Sequence, residues 1–290
     1  MAAHHNTQAH NVHGKDGNTA GERTVTDTAT ASESLRLEVD GSVAHIVFSR
    51  PSALNAINID MAAAFRSAVA SVAANPAIRV LVLRGEGRAF MAGGDIAQLA
   101  ADPVNNPERI IAPLHEGLAQ MAELPIPVVA VLHGAVAGAG MSIALAADLA
   151  LAADNTIFQM AYTRLGASPD ASGSWHLPRL VGLRKAMELT LMNDSLDATA
   201  AQQLGLVNWV VPADELSART DALTKRLADG AVQAFGRSKA LLRSAALNTL
   251  PEQLEAERQA FQKGAQGAEF KEGAEAFLQK RRPDFQGAAS

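Results

Sequence analysis

The chain has 290 residues, 48% of them hydrophobic and only 4% aromatic, with a formal net charge of −5. It is long enough to bury a sizeable core, and it lacks the broad basic face that nucleic acid or anionic lipid requires. Cysteine is absent, which excludes disulfides, thiolate nucleophiles and cysteine-ligated metal together. No apolar run approaches a membrane span and no signal-peptide pattern opens the chain, so a cytoplasmic protein without membrane or nucleic-acid partners is expected.

Residues 1–34 are rich in His, Asn, Thr, Gly and Ala without apolar periodicity, and read as a disordered leader. His4, His5, His10 and His13 have no accompanying carboxylate or cysteine set, so no metal site is expected there. Leu35 to Val39 and Val43 to Phe48 flank Asp40-Gly41, a strong hairpin signal. After an irregular connector from Arg50 to Ala56, the spacing of Met61, Phe65, Ala68, Val69 and Val72 predicts a helix from Ile59 to Ala74, ended by Asn75-Pro76. Val80 to Leu83 is a buried-strand run that passes through a glycine-containing turn to Gly94 and a helical pattern from Ile96.

Pro107 to Glu123 predicts a helix with His115 among its exposed-looking residues. A second apolar run, Val128 to Leu132, then passes Gly134, Gly138 and Gly140 into a small-residue helical stretch reaching Leu149. Phe158 to Trp175 is too long and irregular for a simple turn and is a candidate functional loop. Helical patterns dominate from His176 onward, interrupted by Leu206 to Val211. The expected organisation is an α/β or α+β core over 35–230 followed by a helical region over 231–290.

Strand, glycine turn and helix thus occur twice, once ending near Gly94 and once near Ala139. A helix start leaves amide N–H groups without partners, and these attract an anion or an oxygen that becomes anionic during reaction. The plainer alternative is close helix-on-sheet packing, for which glycine merely saves space. If both corners converge on one oxygen they form an oxyanion hole, each donor contributing about 2.7–4 kcal/mol to the transition state.

The blocks FMAGGD, HGAVAGAG and LGASPDASGSWHLPRLVGLRKAMEL, flanked by RPSALNAI and EGAEAFLQKRRPDF, resemble the crotonase (enoyl-CoA hydratase/isomerase) superfamily. The resemblance implies a ClpP/crotonase-like spiral of ββα turns with a helical C-terminal trimerisation region, assembled as homotrimers or hexamers. It implies acyl-CoA thioester substrates, with no metal and no cofactor beyond the CoA of the substrate itself. Position by position, it makes the N–H groups of Gly94 and Ala139 the oxyanion donors. It places Ala53 and Leu54 near the CoA nucleotide and Met91, Met141 and Tyr162 near the acyl chain, and offers Arg50 and Lys280 to phosphates. Trp175 is expected to pack.

Hydratases of this family hold water between two glutamates, whose positions here are occupied by Ser142 and Tyr162. Asp170 instead matches the single aspartate of the family's double-bond isomerases, most closely that of the ring-opening isomerases of phenylacetyl-CoA catabolism. One carboxylate suffices to take a proton from one carbon and return it to another, and an apolar pocket would make it a stronger base. Locally, Asp170 also reads as a cap for the helix that follows. Three alternatives stay open. They are an enoyl-CoA hydratase, an aryl-CoA dehalogenase with Asp170 as nucleophile and His115 as its histidine, and a non-catalytic binding protein of the same fold.

Overall fold

The computed structural model describes Met1 and residues 32–289, and the histidines of the leader lie outside the described residues. Strands β1 (Leu35–Asp40) and β2 (Val43–Phe48) pair antiparallel with Leu35 opposite Phe48 and Asp40 opposite Val43. Helix α1 (Ile59–Ala74) is capped by Asn58, whose side chain accepts from Met61 N–H at 2.9 Å, and it buries the five apolar residues that its spacing singles out. Strand β3 (Val80–Gly85) runs parallel to β2 and is followed by α2 (Ile96–Ala101), capped by Asp95, and α3 (Asn106–Glu123). All five residues of β4 (Val128–Leu132) are buried, as an inner parallel strand covered on both faces requires.

The second glycine corner is more elaborate than the sequence suggests. A short strand, β5 (Ala135–Ala137), intervenes before α4 (Ala139–Ala146), and the helix stops three residues short of Leu149. The Asp148 carboxylate accepts the Val128 N–H at 2.9 Å, and Asp148 N–H donates to Val128 O at 2.9 Å. These bonds draw the chain into β6 (Leu149–Ala153), parallel to β4. Alanine-rich sequence with good helix propensity becomes strand because the ladder beside β4 offers it a partner.

The candidate functional loop is likewise partly ordered. It begins within β7 (Ile157–Gln159), paired with β5, and contains a single 3₁₀ turn at Tyr162–Leu165. Helix α5 (Gly173–Leu191) begins before His176 and is broken at Gly182, whose φ of 75° is non-helical. β8 (Leu196–Asp197), α6 (Ala198–Gln203) and β9 (Trp209–Val211) follow, and then the helices α7 (Leu216–Ala228), α8 (Val232–Ser244), α9 (Leu250–Ala265) and α10 (Ala268–Leu278).

The large sheet has the order β1-β2-β3-β4-β6-β9 and the small one β5-β7-β8. The main core lies between the large sheet, α1 and α3, while Ala228, Leu216, Leu223 and Leu227 of α7 pack on Val80, Val82, Val129 and Val131 across the opposite face. On α8, Lys239 and Arg243 reach Asp148 at 2.7 and 2.9 Å. The C-terminal helices leave Leu250, Phe261 and Phe277 exposed, and α5 does the same with Leu183, Met187 and Leu191. Among the described residues no helix is long and apolar enough to cross a membrane.

Candidate active site

The first glycine corner is held by the connector that precedes α1. Leu54 adopts a left-handed conformation (φ 50°) and its carbonyl accepts from Ala92 N–H at 3.0 Å. Ile57 N–H then donates to Gly93 O, and Asp95 N–H to Ile57 O, both at 2.8 Å, so the connector runs beside Gly94. Asn55, also left-handed at φ 58° and fully buried, donates through Nδ2 to the carbonyls of Glu86 and Ala89 at 2.9 and 2.8 Å. Its Oδ1 accepts from Arg50 N–H at 2.8 Å. The Arg50 guanidinium donates to Ala56 O and to the Asp95 carboxylate, the latter at 2.9 Å. Arg50 therefore braces the Gly94 corner, where the resemblance would have it meet phosphate.

The second corner lies directly against the first. Met91 N–H donates to Ala135 O at 3.1 Å and Ala137 N–H to Met91 O at 2.9 Å. Gly138 has φ 52° and ψ −123°, and a Cβ there would stand 3.4 Å from Gly93 Cα. At Gly140 a Cβ would lie 2.3 Å from Met91 O, so any side chain would push the corners apart. Among the described residues neither Gly94 N–H nor Ala139 N–H has a protein acceptor. Ala139 is the first residue of α4, so its amide also carries the positive end of the helix dipole. Two free donors on touching corners can hold one oxygen that gains negative charge.

Three residues beyond Ala139 on α4, the hydroxyl of Ser142 leads to the acid. Ser142 Oγ lies 2.9 Å from the Tyr162 hydroxyl, which in turn donates to Asp170 Oδ1 at 2.5 Å. A carboxylate only accepts, so Tyr162 spends its proton on Asp170 and receives one from Ser142. Burial, and next the neighbouring Asp170 carboxylate, push the Tyr162 phenol up, which keeps it a donor. The turn that carries Tyr162 is pinned by Asn193, which accepts from Ala161 N–H and donates to Thr163 Oγ1, both at 2.8 Å. Asp170 does not cap α5 with its side chain; that position falls to Ser172, which makes no side-chain capping bond.

Helix α3 closes the group from the other side. His115, exposed on α3, accepts through Nε2 from the N–H of Ala171 at 3.1 Å. The structure thus links Leu54, Gly94, Ala139, Tyr162, Asp170 and His115 through hydrogen bonds and adjoining backbone, while Ala53 bonds only within its own connector. Met91 and Met141 adjoin it from inside, 0% and 1% exposed, as members of the main core. Lys280 is exposed in a left-handed turn after α10, and its side chain makes no ion pair among the described residues. Trp175, expected to pack, is 44% exposed and carries the Arg179 guanidinium 3.9 Å over its ring. Asn55 and Asn193 escaped sequence reasoning, since nothing in an isolated asparagine signals that it pins a loop. A cavity of about 1060 Å³ lies between α8, α9 and α10, away from these groups, and is lined in part by Phe261, Phe270 and Phe277.

The family described as enoyl-CoA hydratase/isomerase matches residues 38–288. A protein of Rhodobacter capsulatus named probable enoyl-CoA hydratase is 38% identical over 254 residues, covering 87% of this chain and 98% of its own. The 1,2-epoxyphenylacetyl-CoA isomerase of Escherichia coli is 35% identical over 262 residues, covering 88% and 99%. The crystal structure of an enoyl-CoA hydratase from Polaromonas sp. JS666 superposes with a TM-score of 0.82 at 36% identity, over 86% of this chain and 98% of that one. With two facing glycine corners, a sheet and helices that superpose on a solved relative, and a match that runs from β1 to the C-terminus, the chain belongs to the enoyl-CoA hydratase/isomerase family of acyl-CoA enzymes and has the crotonase fold.

Proposed function

We propose that this protein is an enoyl-CoA double-bond isomerase in which Asp170 shuttles the proton and the amides of Gly94 and Ala139 hold the thioester oxygen. The observation that carries the reading is the Ser142–Tyr162–Asp170 chain. The two positions where a hydratase of this family has carboxylates are spent on holding one carboxylate, so a single acid–base group faces the acyl chain. Oδ1 of that group is occupied by Tyr162, which leaves Oδ2 for the proton.

With the thioester carbonyl between the two amides, Asp170 Oδ2 removes a proton from the acyl chain, and the C–H electron pair moves through the conjugated system onto the thioester oxygen. The enolate is stabilised by about 2.7–4 kcal/mol per amide. The proton on Oδ2 exchanges with solvent, and Oδ2 then delivers a proton to the other end of the allyl unit, the electron pair leaves the oxygen, and the double bond has moved. Positioned proton transfer of this kind contributes about 10²–10⁴ in rate. No cofactor beyond the substrate's own CoA enters this sequence. The nucleotide end is assigned to Ala53 and Leu54, with Lys280 of a neighbouring subunit as a phosphate partner in a homotrimer or hexamer. The apolar surfaces left exposed on α5 and on the C-terminal helices support such an assembly.

The second reading, hydration, is favoured by the names of the hydratase relatives and needs another group to activate water. Incubation with 3-enoyl-CoA and 2-enoyl-CoA in deuterated water separates the two. Movement of the double bond with label at one carbon is expected, whereas a 3-hydroxyacyl product would establish hydration instead. Asp170→Asn is expected to lower kcat by about 10²–10⁴-fold with ester binding retained, and full activity in that variant would remove Asp170 from the mechanism.

A further inference from the structure

The reading of Asp170 as the proton shuttle leaves open what aims its carboxylate. Tyr162 fixes one oxygen, yet the backbone that carries the residue is itself unusual. Ala171 and Ser172 both lie in the left-handed region, at φ 48° and 68°, and neither is glycine. Two such residues in succession persist only when their surroundings hold them. Ala171 is 0% exposed, so its N–H is cut off from water and needs a protein acceptor. The Nε2 of His115, arriving from α3, is that acceptor at 3.1 Å. Ser172 Oγ, one residue on, is buried without a hydrogen-bond partner, so it adds no hold of its own.

We propose that His115 is a positioning residue for the reaction. Resting on the proposed role of Asp170, it clamps the Asp170–Ser172 turn through the Ala171 amide and so sets where the carboxylate points. The contact also fixes the form of the ring. A nitrogen that accepts from an amide carries no proton, so His115 works as the neutral imidazole with its hydrogen on Nδ1. Its Nε2 lone pair is committed to the backbone and is not available to deprotonate water, which separates this role from that of a hydrolytic histidine base.

Two variants test the clamp. His115→Leu removes the acceptor, whereas His115→Gln places an amide oxygen close to where Nε2 stood. A misplacement of the acid by about 1 Å costs on the order of 10²-fold in rate. His115→Leu should therefore lose about that much in kcat with little change in KM, and His115→Gln should recover most of it. Independently of any activity, hydrogen–deuterium exchange at the Ala171 amide should accelerate by about tenfold or more in His115→Leu and stay slow in His115→Gln. A wild-type enzyme that moves no double bond would end the isomerase reading, while the exchange measurement would still decide whether the clamp exists. The proposal is overturned by unchanged exchange in His115→Leu, by wild-type kcat in that variant, or by a His115→Gln enzyme as slow as His115→Leu.

Discussion

The Ser142–Tyr162–Asp170 chain makes a quantitative prediction about coupling. Tyr162→Phe deletes the donor to a carboxylate, an interaction of about 1.5–3 kcal/mol, and strands the Ser142 hydroxyl, whose residue is fully buried. A buried polar group without a partner costs about 1–3 kcal/mol. Because the phenol serves both neighbours, a total near 2–4 kcal/mol is expected. Ser142→Ala alone forfeits one neutral hydrogen bond and should cost about 0.5–1.5 kcal/mol. Once Tyr162 is phenylalanine, however, Ser142 has nothing left to lose. Adding Ser142→Ala to Tyr162→Phe should then be neutral or should restore about 1 kcal/mol, so that the two single losses together exceed the double loss by about 0.5–2.5 kcal/mol. Urea unfolding of the four proteins at one fixed protein concentration measures this, the fixed concentration removing any mass-action contribution from assembly. The relay is falsified if the single losses add to within about 0.5 kcal/mol, the scatter of independent sites.

Further predictions concern the scaffold. Asn55→Ala leaves buried carbonyls and the Arg50 amide without partners and should cost about 2–4 kcal/mol, while Asn55→Asp should cost more, because it turns a carboxylate toward the Glu86 and Ala89 carbonyls. Equal denaturation midpoints for the two variants at neutral pH would contradict the assigned orientation of the amide. Burial, and next the charge of Arg243, hold His176 down to about 4, so its proton is bound by the unfolded chain before the folded one. Its contribution is fully present above pH ~6.5 and is lost as pH falls from there towards about 4. The wild-type stability curve should accordingly be steeper than that of His176→Gln in this window, by at most about 1.4 kcal/mol per pH unit and less to the extent that the ring meets solvent. Parallel curves would show that His176 is not the group responsible.

The local pattern of the chain was enough to define much of the scaffold. The β1–β2 hairpin and the limits of α1 follow from short-range chemistry, a Gly-containing turn between apolar runs in one case and 3.6-residue spacing closed by Asn75-Pro76 in the other. The glycine corners announced themselves because close backbone approach tolerates little else, as the contact between a Cβ at Gly140 and Met91 O makes concrete. Contacts distant in sequence decided the rest. Residues 149–153 became strand because β4 lay beside them, and Arg50 turned to Asp95 because the connector folded back along Gly94. The same holds within the site, where Tyr162 serves as a donor to Asp170 and His115 reaches a backbone amide 56 residues away. A periodic pattern records which face a residue buries, but hydrogen-bond direction depends on where a partner from another element comes to rest, and only the packed tertiary structure fixes that.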